Sequence, residues 1–134
     1  MAVGRLHHIG FVVPSIAESA PQFCAGMPLT WDGRIFHDPI QTVHVTFLAH
    51  RTPEDPLIEL VEPENKQSRV TGFLKRGGGL HHLCYEVRAL EAEIESSLAS
   101  GSILIAEPAA AVAFEGRRIA WICTPDRLLI EYLE

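Results

Sequence analysis

Short stretches in which apolar and polar residues alternate recur along this chain and predict strands, with two longer helices and one helical turn between them. Proline, glycine and serine residues mark most ends of these stretches. The predicted strands cover residues 6–13, 29–35, 42–50, 57–62, 80–87, 103–106, 117–123 and 128–133. The predicted helices cover residues 15–25, 70–76 and 90–100. The order of one strand, one helix and three strands occurs twice and indicates an α+β fold with a curved mixed sheet.

The chain contains an internal repeat. The segment 6–13, LHHIGFVV, resembles the segment 80–87, LHHLCYEV, at an offset of 74 residues. The segment 57–62, LIELVE, resembles the segment 129–134, LIEYLE, at an offset of 72 residues. Two matches in the same order and at nearly the same offset predict one domain made of two paired βαβββ modules. The modules are expected to cover about 1–72 and 73–134.

Each repeat has a carboxylate in the middle of an otherwise apolar strand. Glu59 lies within LIELV and Glu131 within LIEYL, and a carboxylate is costly to bury there without a partner. Each repeat also has a pair of histidines near the start of its first strand. One histidine and one carboxylate from each repeat, related by a pseudo-twofold axis, are expected to converge on one cation. Nitrogen and oxygen ligands suit Zn, Co, Ni, Mn or Fe.

Strand alternation leaves open which histidine of each pair is the ligand. His7 and His8 point to opposite faces of their strand, as do His81 and His82. One member of each pair is expected to bind the metal ion and the other to pack or cap. For any one of these residues taken singly, a structural interpretation is favoured: two core or edge histidines and two exposed strand-end glutamates. The repeat is what favours a metal site.

Composition and charge exclude several classes of protein. The formal net charge is −6 and the chain has no basic run typical of nucleic-acid or anionic-membrane binding. No apolar run reaches the ~18–20 residues of a membrane-spanning helix, and no signal peptide is expected at the start. The three cysteines, Cys24, Cys84 and Cys123, are widely spaced and predict no disulfide framework. A cytoplasmic protein is therefore expected.

The motifs LHHIGFVVPSI, LIELVEP, GGGLHHLCYEV, GRRIAW and LIEYLE resemble the vicinal oxygen chelate superfamily, which includes glyoxalase I, bleomycin-resistance proteins and extradiol dioxygenases. The resemblance covers essentially the whole chain, and the branch of methylmalonyl-CoA epimerase and its glyoxalase-like relatives is the most similar. It implies paired modules around one divalent metal ion, often in a homodimer. It also implies that the metal ligands are His8, Glu59, His82 and Glu131.

The resemblance implies a metal-dependent isomerase or epimerase that removes the proton next to a carbonyl group, on an acyl-CoA thioester or a related small carbonyl substrate. Glu131 and Glu59 are the candidate bases. A glyoxalase-type lyase and a non-catalytic, resistance-type binding protein are alternatives on the same fold. An extradiol dioxygenase fits less well, because it uses two histidines and one carboxylate around Fe(II).

Four further residues are candidate contacts for the substrate. Gln41 and His44 lie near the third predicted strand, and Arg117 and Arg118 follow Gly116 where the family binds acidic substrate groups. An arginine can hold a carboxylate through two hydrogen bonds. The segment 123–127 is shorter than the matching family loop and lacks its glycines, which leaves the identity of the acyl group open.

Overall fold

The computed structural model describes residues 3–134, with side chains described from Gly4 onward. The strands are β1 (Val3–Val12), β2 (Leu29–Trp31), β3 (Phe36–Asp38), β4 (Val43–His50), β5 (Leu57–Pro63), β6 (Gly79–Val87), β7 (Ile103–Ala110), β8 (Arg118–Cys123) and β9 (Leu129–Leu133). The helices are α1 (Ile16–Gly26), α2 (Thr71–Lys75) and α3 (Leu90–Ala99), with a short 3₁₀ turn at Val112–Phe114. The predicted α+β class, with a mixed sheet, is confirmed. Within the described residues, no helix is both long enough and apolar enough to cross a membrane.

The chain divides into two compact units. The N-terminal unit comprises residues 8–81, and the C-terminal unit comprises residues 82–134 together with the described residues before His8. These units differ in their bounds from the two repeats, because the start of β1 belongs with the second half of the chain. The single domain of two repeats, 1–72 and 73–134, stays a prediction.

The N-terminal unit has the strand order β2-β4-β5-β1. β1 and β5 are parallel, whereas β5 with β4 and β4 with β2 are antiparallel. β3 also pairs with β4. One face of these strands packs against α1 through the buried side chains of Val13, Ile16, Ala20, Leu29, Leu48, Ile58 and Leu60. The side chains on the opposite face of these strands do not belong to this core cluster.

The C-terminal unit repeats this plan with the strand order β7-β8-β9-β6. β6 and β9 are parallel, and the other two pairs are antiparallel. One face packs against α3 through Val87, Leu90, Ile94, Ala120, Ile122, Ile130 and Tyr132. The four-residue spacing of Leu90, Ile94 and Leu98 predicts that all three pack on one helix face, but Leu98 is 43% exposed. Each four-residue step turns about 40° past a full helical revolution, so Leu98 lies well away from the direction of Leu90.

Each of the two longer helices begins against a glutamate that lies at or just beyond the end of a strand in the same unit. The backbone N–H of Ile16 donates to Oε1 of Glu62 at 2.7 Å. The backbone N–H of Leu90 donates to Oε2 of Glu134 at 3.1 Å. The first N–H groups of a helix have no partner within the helix, so these carboxylates satisfy donors that would otherwise need water. The final glutamate of each repeated LIE motif therefore caps a helix.

Several predicted strands have different bounds. The strand expected over 29–35 ends at Trp31, because Asp32 accepts a hydrogen bond from the Arg34 N–H and Gly33 adopts a φ of 82°, which together form a turn. The chain then forms β3, which the alternation of residues did not predict. β7 continues past the predicted end at Ala106, through Pro108, since in this unit it pairs only with β8 and its other edge needs no N–H donor.

Candidate functional site

His8 and Glu59 form a buried pair in the N-terminal unit. Ile9 and Phe11 pack against the core on the α1 side, so alternation places His8 on the opposite face of β1. The side chain of His8 is fully buried and Glu59 is 6% exposed. Nε2 of His8 lies 3.4 Å from Oε1 of Glu59. Gly10 lies opposite Glu59 in the β1–β5 register.

An aromatic ring supports this pair. Phe47 lies opposite Glu59 in the β4–β5 register, so both side chains share one face. The rings of Phe47 and His8 meet edge to face, with centroids 5.6 Å apart and an angle of 65° between their planes. Packing of this kind restricts the rotation of the imidazole and holds Nε2 toward the carboxylate.

His82 and Glu131 form the matching pair in the C-terminal unit. Both residues are 4% exposed, and Nε2 of His82 lies 3.5 Å from Oε1 of Glu131. Trp121 lies opposite Glu131 in the β8–β9 register and packs edge to face on His82, with ring centroids 4.7 Å apart. Cys84, which is fully buried, takes the position opposite Glu131 that Gly10 takes opposite Glu59.

The spacing within each pair fits a shared metal ion. Separations of 3.4 and 3.5 Å are longer than an ordinary N–H···O hydrogen bond. Two ligand atoms at about 2.1 Å from a tetrahedral ion lie about 3.4 Å apart, which is the spacing seen here. Each pair also offers one nitrogen and one oxygen ligand, a donor set that suits divalent first-row metals. The donor chemistry and the spacing in each unit therefore fit such an ion.

The other histidine of each sequence pair packs against an aromatic ring. His7 meets Phe114 at a right angle, with centroids 5.2 Å apart. His81 meets Phe73 of α2 in the same way, with centroids 4.8 Å apart. The two histidines of each pair thus differ as the alternation predicts: His8 and His82 lie beside carboxylates. The assignment of His8, Glu59, His82 and Glu131 as metal ligands stays a prediction.

Gln41 and His44 do not join the His8–Glu59 pair. Gln41 lies in the turn between β3 and β4, where its backbone N–H donates to Oδ1 of Asp38 at 3.0 Å. His44 stacks on His37, with ring centroids 4.8 Å apart, and its Nδ1 is buried without a hydrogen-bond partner. Since Phe47 lies on the site face of β4, alternation turns His44 toward the face that packs against α1.

Arg117 and Arg118 bind carboxylates of their own unit. Arg117 donates from Nη2 to Glu86 at 3.0 Å and from Nε to the backbone oxygen of Glu134 at 2.8 Å. Arg118 holds Glu91 through two hydrogen bonds of 2.7 and 3.0 Å and also contacts Glu134 at 2.7 Å. The substrate contacts expected of Arg117 and Arg118 stay predictions. In this structure, the N–H donors named above already have acceptors within the protein.

These contacts shift the pKa values of the groups involved. The hydrogen bond from Arg118 lowers the pKa of the Glu91 carboxyl below its ordinary value. The pKa of Glu134 is lowered first by the Leu90 N–H and then by Arg118. In turn Glu91, and then Glu134, raise the pKa of the Arg118 guanidinium. All three groups therefore stay charged over a wider pH range than in the unfolded chain.

Phe47 and Trp121 are site residues that the sequence reasoning missed. They are 74 positions apart, as are Gly10 and Cys84, which matches the offset of the first repeated segment. Applying that offset to every position between the two repeated segments, rather than to the histidines alone, identifies both aromatic residues. The repeat therefore extends to the residues that surround each pair.

Known proteins resemble this chain over most of its length. Residues 7–121 match the family described as the Glyoxalase/Bleomycin resistance protein/Dioxygenase superfamily. The Ethylmalonyl-CoA/methylmalonyl-CoA epimerase of Cereibacter sphaeroides is 27% identical over 126 residues, covering 92% of this chain and 91% of the relative. The crystal structure of methylmalonyl-CoA epimerase from Mycobacterium tuberculosis is 25% identical, with a TM-score of 0.82 over 98% of this chain and 88% of that one. A hypothetical protein from Bacillus halodurans C-125 is 30% identical, with a TM-score of 0.83 over 97% and 93% of the two chains.

Proposed function

Since this chain belongs to the glyoxalase, bleomycin resistance protein and dioxygenase superfamily, we propose that it is a metal-dependent epimerase of an acyl-CoA thioester. The relatives named as methylmalonyl-CoA epimerases support the reaction and the substrate class. The observation that carries the proposal is the buried histidine–carboxylate pair that recurs in each unit on the face away from the helix. A protein that only packs its core has no need of two such pairs, because each buries a charge-bearing group among apolar side chains.

In this proposal, His8, Glu59, His82 and Glu131 hold one divalent ion. Two imidazole nitrogens and two carboxylate oxygens suit Zn, Co, Ni, Mn or Fe. When bound, such an ion polarises the thioester carbonyl and makes the neighbouring C–H bond more acidic. Phe47 and Trp121 keep the two imidazole rings in place, since each packs edge to face on one of them.

The carboxylates carry the proton in this proposal. Epimerisation removes a proton from one face of the carbon and returns one to the other face, so it needs two acid–base groups. Glu59 and Glu131 provide one in each unit, at matching positions of the repeat. Both lie on strands with buried apolar neighbours, which exclude the water that would otherwise compete for the proton.

The test is exchange of the substrate α-proton in D₂O. The metal-loaded protein is expected to incorporate deuterium into methylmalonyl-CoA or ethylmalonyl-CoA and to interconvert the epimers. Treatment with a chelator should stop the exchange, and adding back one of the candidate ions should restore it. Turnover of hemithioacetals alone would instead favour a glyoxalase-type lyase. Metal binding without exchange on either class of substrate would argue against an enzyme of this kind.

Each histidine pair supplies a matched control. His82→Ala and His8→Ala are expected to lose bound metal and exchange activity, because each removes a proposed ligand. His81→Ala and His7→Ala alter the neighbouring positions, which are not proposed ligands and whose rings pack against Phe73 and Phe114. Equal metal loss in all four variants would show that the effect is structural and would contradict the ligand assignment.

The homodimer and the cytoplasmic location implied by the resemblance stay predictions. Sedimentation of the purified protein at micromolar concentration measures the first, and fractionation of the source cells measures the second. A monomer would leave the proposed ligand set unchanged, because all four residues belong to one chain.

A further inference from the structure

The segment between β5 and β6 is basic, in contrast to the chain as a whole. Lys66, Arg69, Lys75 and Arg76 lie within eleven successive positions, and residues 65–79 contain no aspartate or glutamate. The whole chain has a formal net charge of −6. We call these four side chains the basic patch. All four side chains are exposed, so their charges face the solvent around the N-terminal unit.

The four cations of the basic patch have no carboxylate partners among the residues that the structure describes. Elsewhere in the described chain, Arg5, Arg117 and Arg118 form ion pairs with glutamates. No ion pair or side-chain hydrogen bond joins any member of the basic patch to another described residue. Their positive charge is therefore available to a ligand from outside the chain.

Hydrogen bonds fix the backbone that carries the basic patch. The Arg69 N–H donates to Oγ1 of Thr42 at 3.0 Å, and Oγ1 of Thr71 donates to the carbonyl oxygen of Asn65 at 2.9 Å. After α2, Gly78 adopts a φ of 65° and approaches Val12 so closely that a Cβ would lie 2.9 Å from the Val12 carbonyl oxygen. The segment is thus anchored to the end of β1 and to the start of β4 rather than extending freely into solvent.

We propose that the basic patch binds the phosphate groups of the CoA moiety, an inference that rests on the proposed function. CoA carries a diphosphate and a 3′-phosphate, and an acidic protein attracts such a ligand only where cations are concentrated. Val12, where the segment is anchored, lies about 13 Å along β1 from His8 at about 3.3 Å per residue. A CoA thioester needs such a separation, because its pantetheine arm holds the phosphates away from the acyl group.

Binding of the nucleotide alone tests the basic patch without any turnover. Calorimetry with adenosine 3′,5′-bisphosphate and with free CoA is expected to show weaker binding in Lys75→Gln/Arg76→Gln, by roughly two- to fivefold for each cation removed. The variant lacking all four charges should lose most of the affinity and most of its salt dependence. Arg88→Gln is the matched control, because Arg88 is also exposed and forms no ion pair with another described residue. Unchanged CoA affinity in the fourfold variant, with an unchanged melting temperature, would overturn the proposal.

Kinetics separate failure of the basic patch from failure of the proposed function. With an acyl-CoA substrate, the fourfold variant should show a raised KM and an unchanged kcat, whereas with the matching acyl-pantetheine its KM should equal that of the unaltered protein. An unaltered protein that binds the bisphosphate through the basic patch but exchanges no α-proton would refute the epimerase and retain the phosphate site. Tighter binding of a single-stranded oligonucleotide than of CoA would overturn the assignment of the ligand.

Discussion

The two units share a strand plan and a buried pair but differ in the residues beside that pair. Glu59 faces Gly10 and Phe47 across its neighbouring strands, whereas Glu131 faces Cys84 and Trp121. The separation between imidazole and carboxylate is nevertheless almost equal, at 3.4 and 3.5 Å. Strand register therefore sets the geometry of the pair, while neighbouring side chains of quite different volume fill the space around it.

The helix starts show a second difference. Oγ of Ser15 accepts a hydrogen bond from the Glu18 N–H at the start of α1, in addition to the contact from Glu62. The corresponding residue before α3 is Ala89, which has no side-chain oxygen to offer. α3 therefore relies on Glu134, which Arg118 holds in place, for its N-terminal contact.

The largest expected effect comes from removing the base in one unit at a time. Glu131→Gln and Glu59→Gln keep an oxygen ligand but cannot accept a proton, so α-proton exchange should fall by about 10²–10⁴. Rates of exchange in D₂O, together with metal content, measure the effect in each variant. Equal losses of exchange activity in the two variants indicate one base in each unit. A loss in one variant alone indicates that only one of the two glutamates acts as a base. Full activity in both would contradict the assigned role.

The packing of α1 and of α3 on the core of its own unit should contribute a similar amount to the free energy of unfolding. Ile16→Ala and Leu90→Ala each remove a side chain that is almost fully buried and should each cost about 2–5 kcal/mol of unfolding free energy. Denaturant unfolding followed by circular dichroism measures both. The exposed Leu98 provides the control, since Leu98→Ala should have a much smaller effect. A large loss for Leu98→Ala would contradict the placement of α3.

The side-chain hydrogen bond that the N-cap residue of α3 lacks can be supplied by substitution. Ala89 has φ −133° and ψ 97°, an extended conformation that an N-cap serine also adopts, as Ser15 does. Ala89→Ser is expected to raise the free energy of unfolding by about 1 kcal/mol, and Ser15→Ala to lower it by a similar amount. Thermal and urea midpoints test both substitutions. No gain from Ala89→Ser would mean that Glu134 already satisfies the start of α3.

The smallest effect concerns acid stability in the C-terminal unit. Glu91 and Glu134 have lowered pKa values in the folded chain, so their contribution is present above the unfolded value of 4.5 and is lost as the pH falls through the lowered pKa values. Arg118→Gln should therefore destabilise the protein at pH 7, and its difference from the unaltered chain should shrink toward pH 3. Urea midpoints at several pH values measure this difference. A difference in urea midpoint that stays constant with pH would contradict this prediction. An equal effect of Arg88→Gln on the midpoints would contradict it as well.

Much of the fold and the candidate site follows from the repeat. Two matched segments identify Glu59, Glu131 and the two histidine pairs, and the resemblance to the superfamily selects His8 and His82 from those pairs. The strands that carry these residues lie within a few residues of their predicted positions. β3 was missed, because three residues are too few for a recognisable alternation. The contacts of Arg117 and Arg118 were missed as well, since their glutamate partners lie 16 to 31 positions away in the sequence. Long-range ion pairs of this kind leave no local pattern.

In each unit, one strand and the residue at its end direct two glutamates to opposite faces of the sheet. Glu59 and Glu62 are three residues apart on β5 and point to opposite faces, toward His8 and toward the first turn of α1. Glu131 and Glu134 have the same relation to His82 and α3. The amide protons of Ile16 and Leu90 are hydrogen-bonded to the same chain segments that carry the buried carboxylates, so we expect their exchange with solvent to slow when a metal ion binds the proposed ligands.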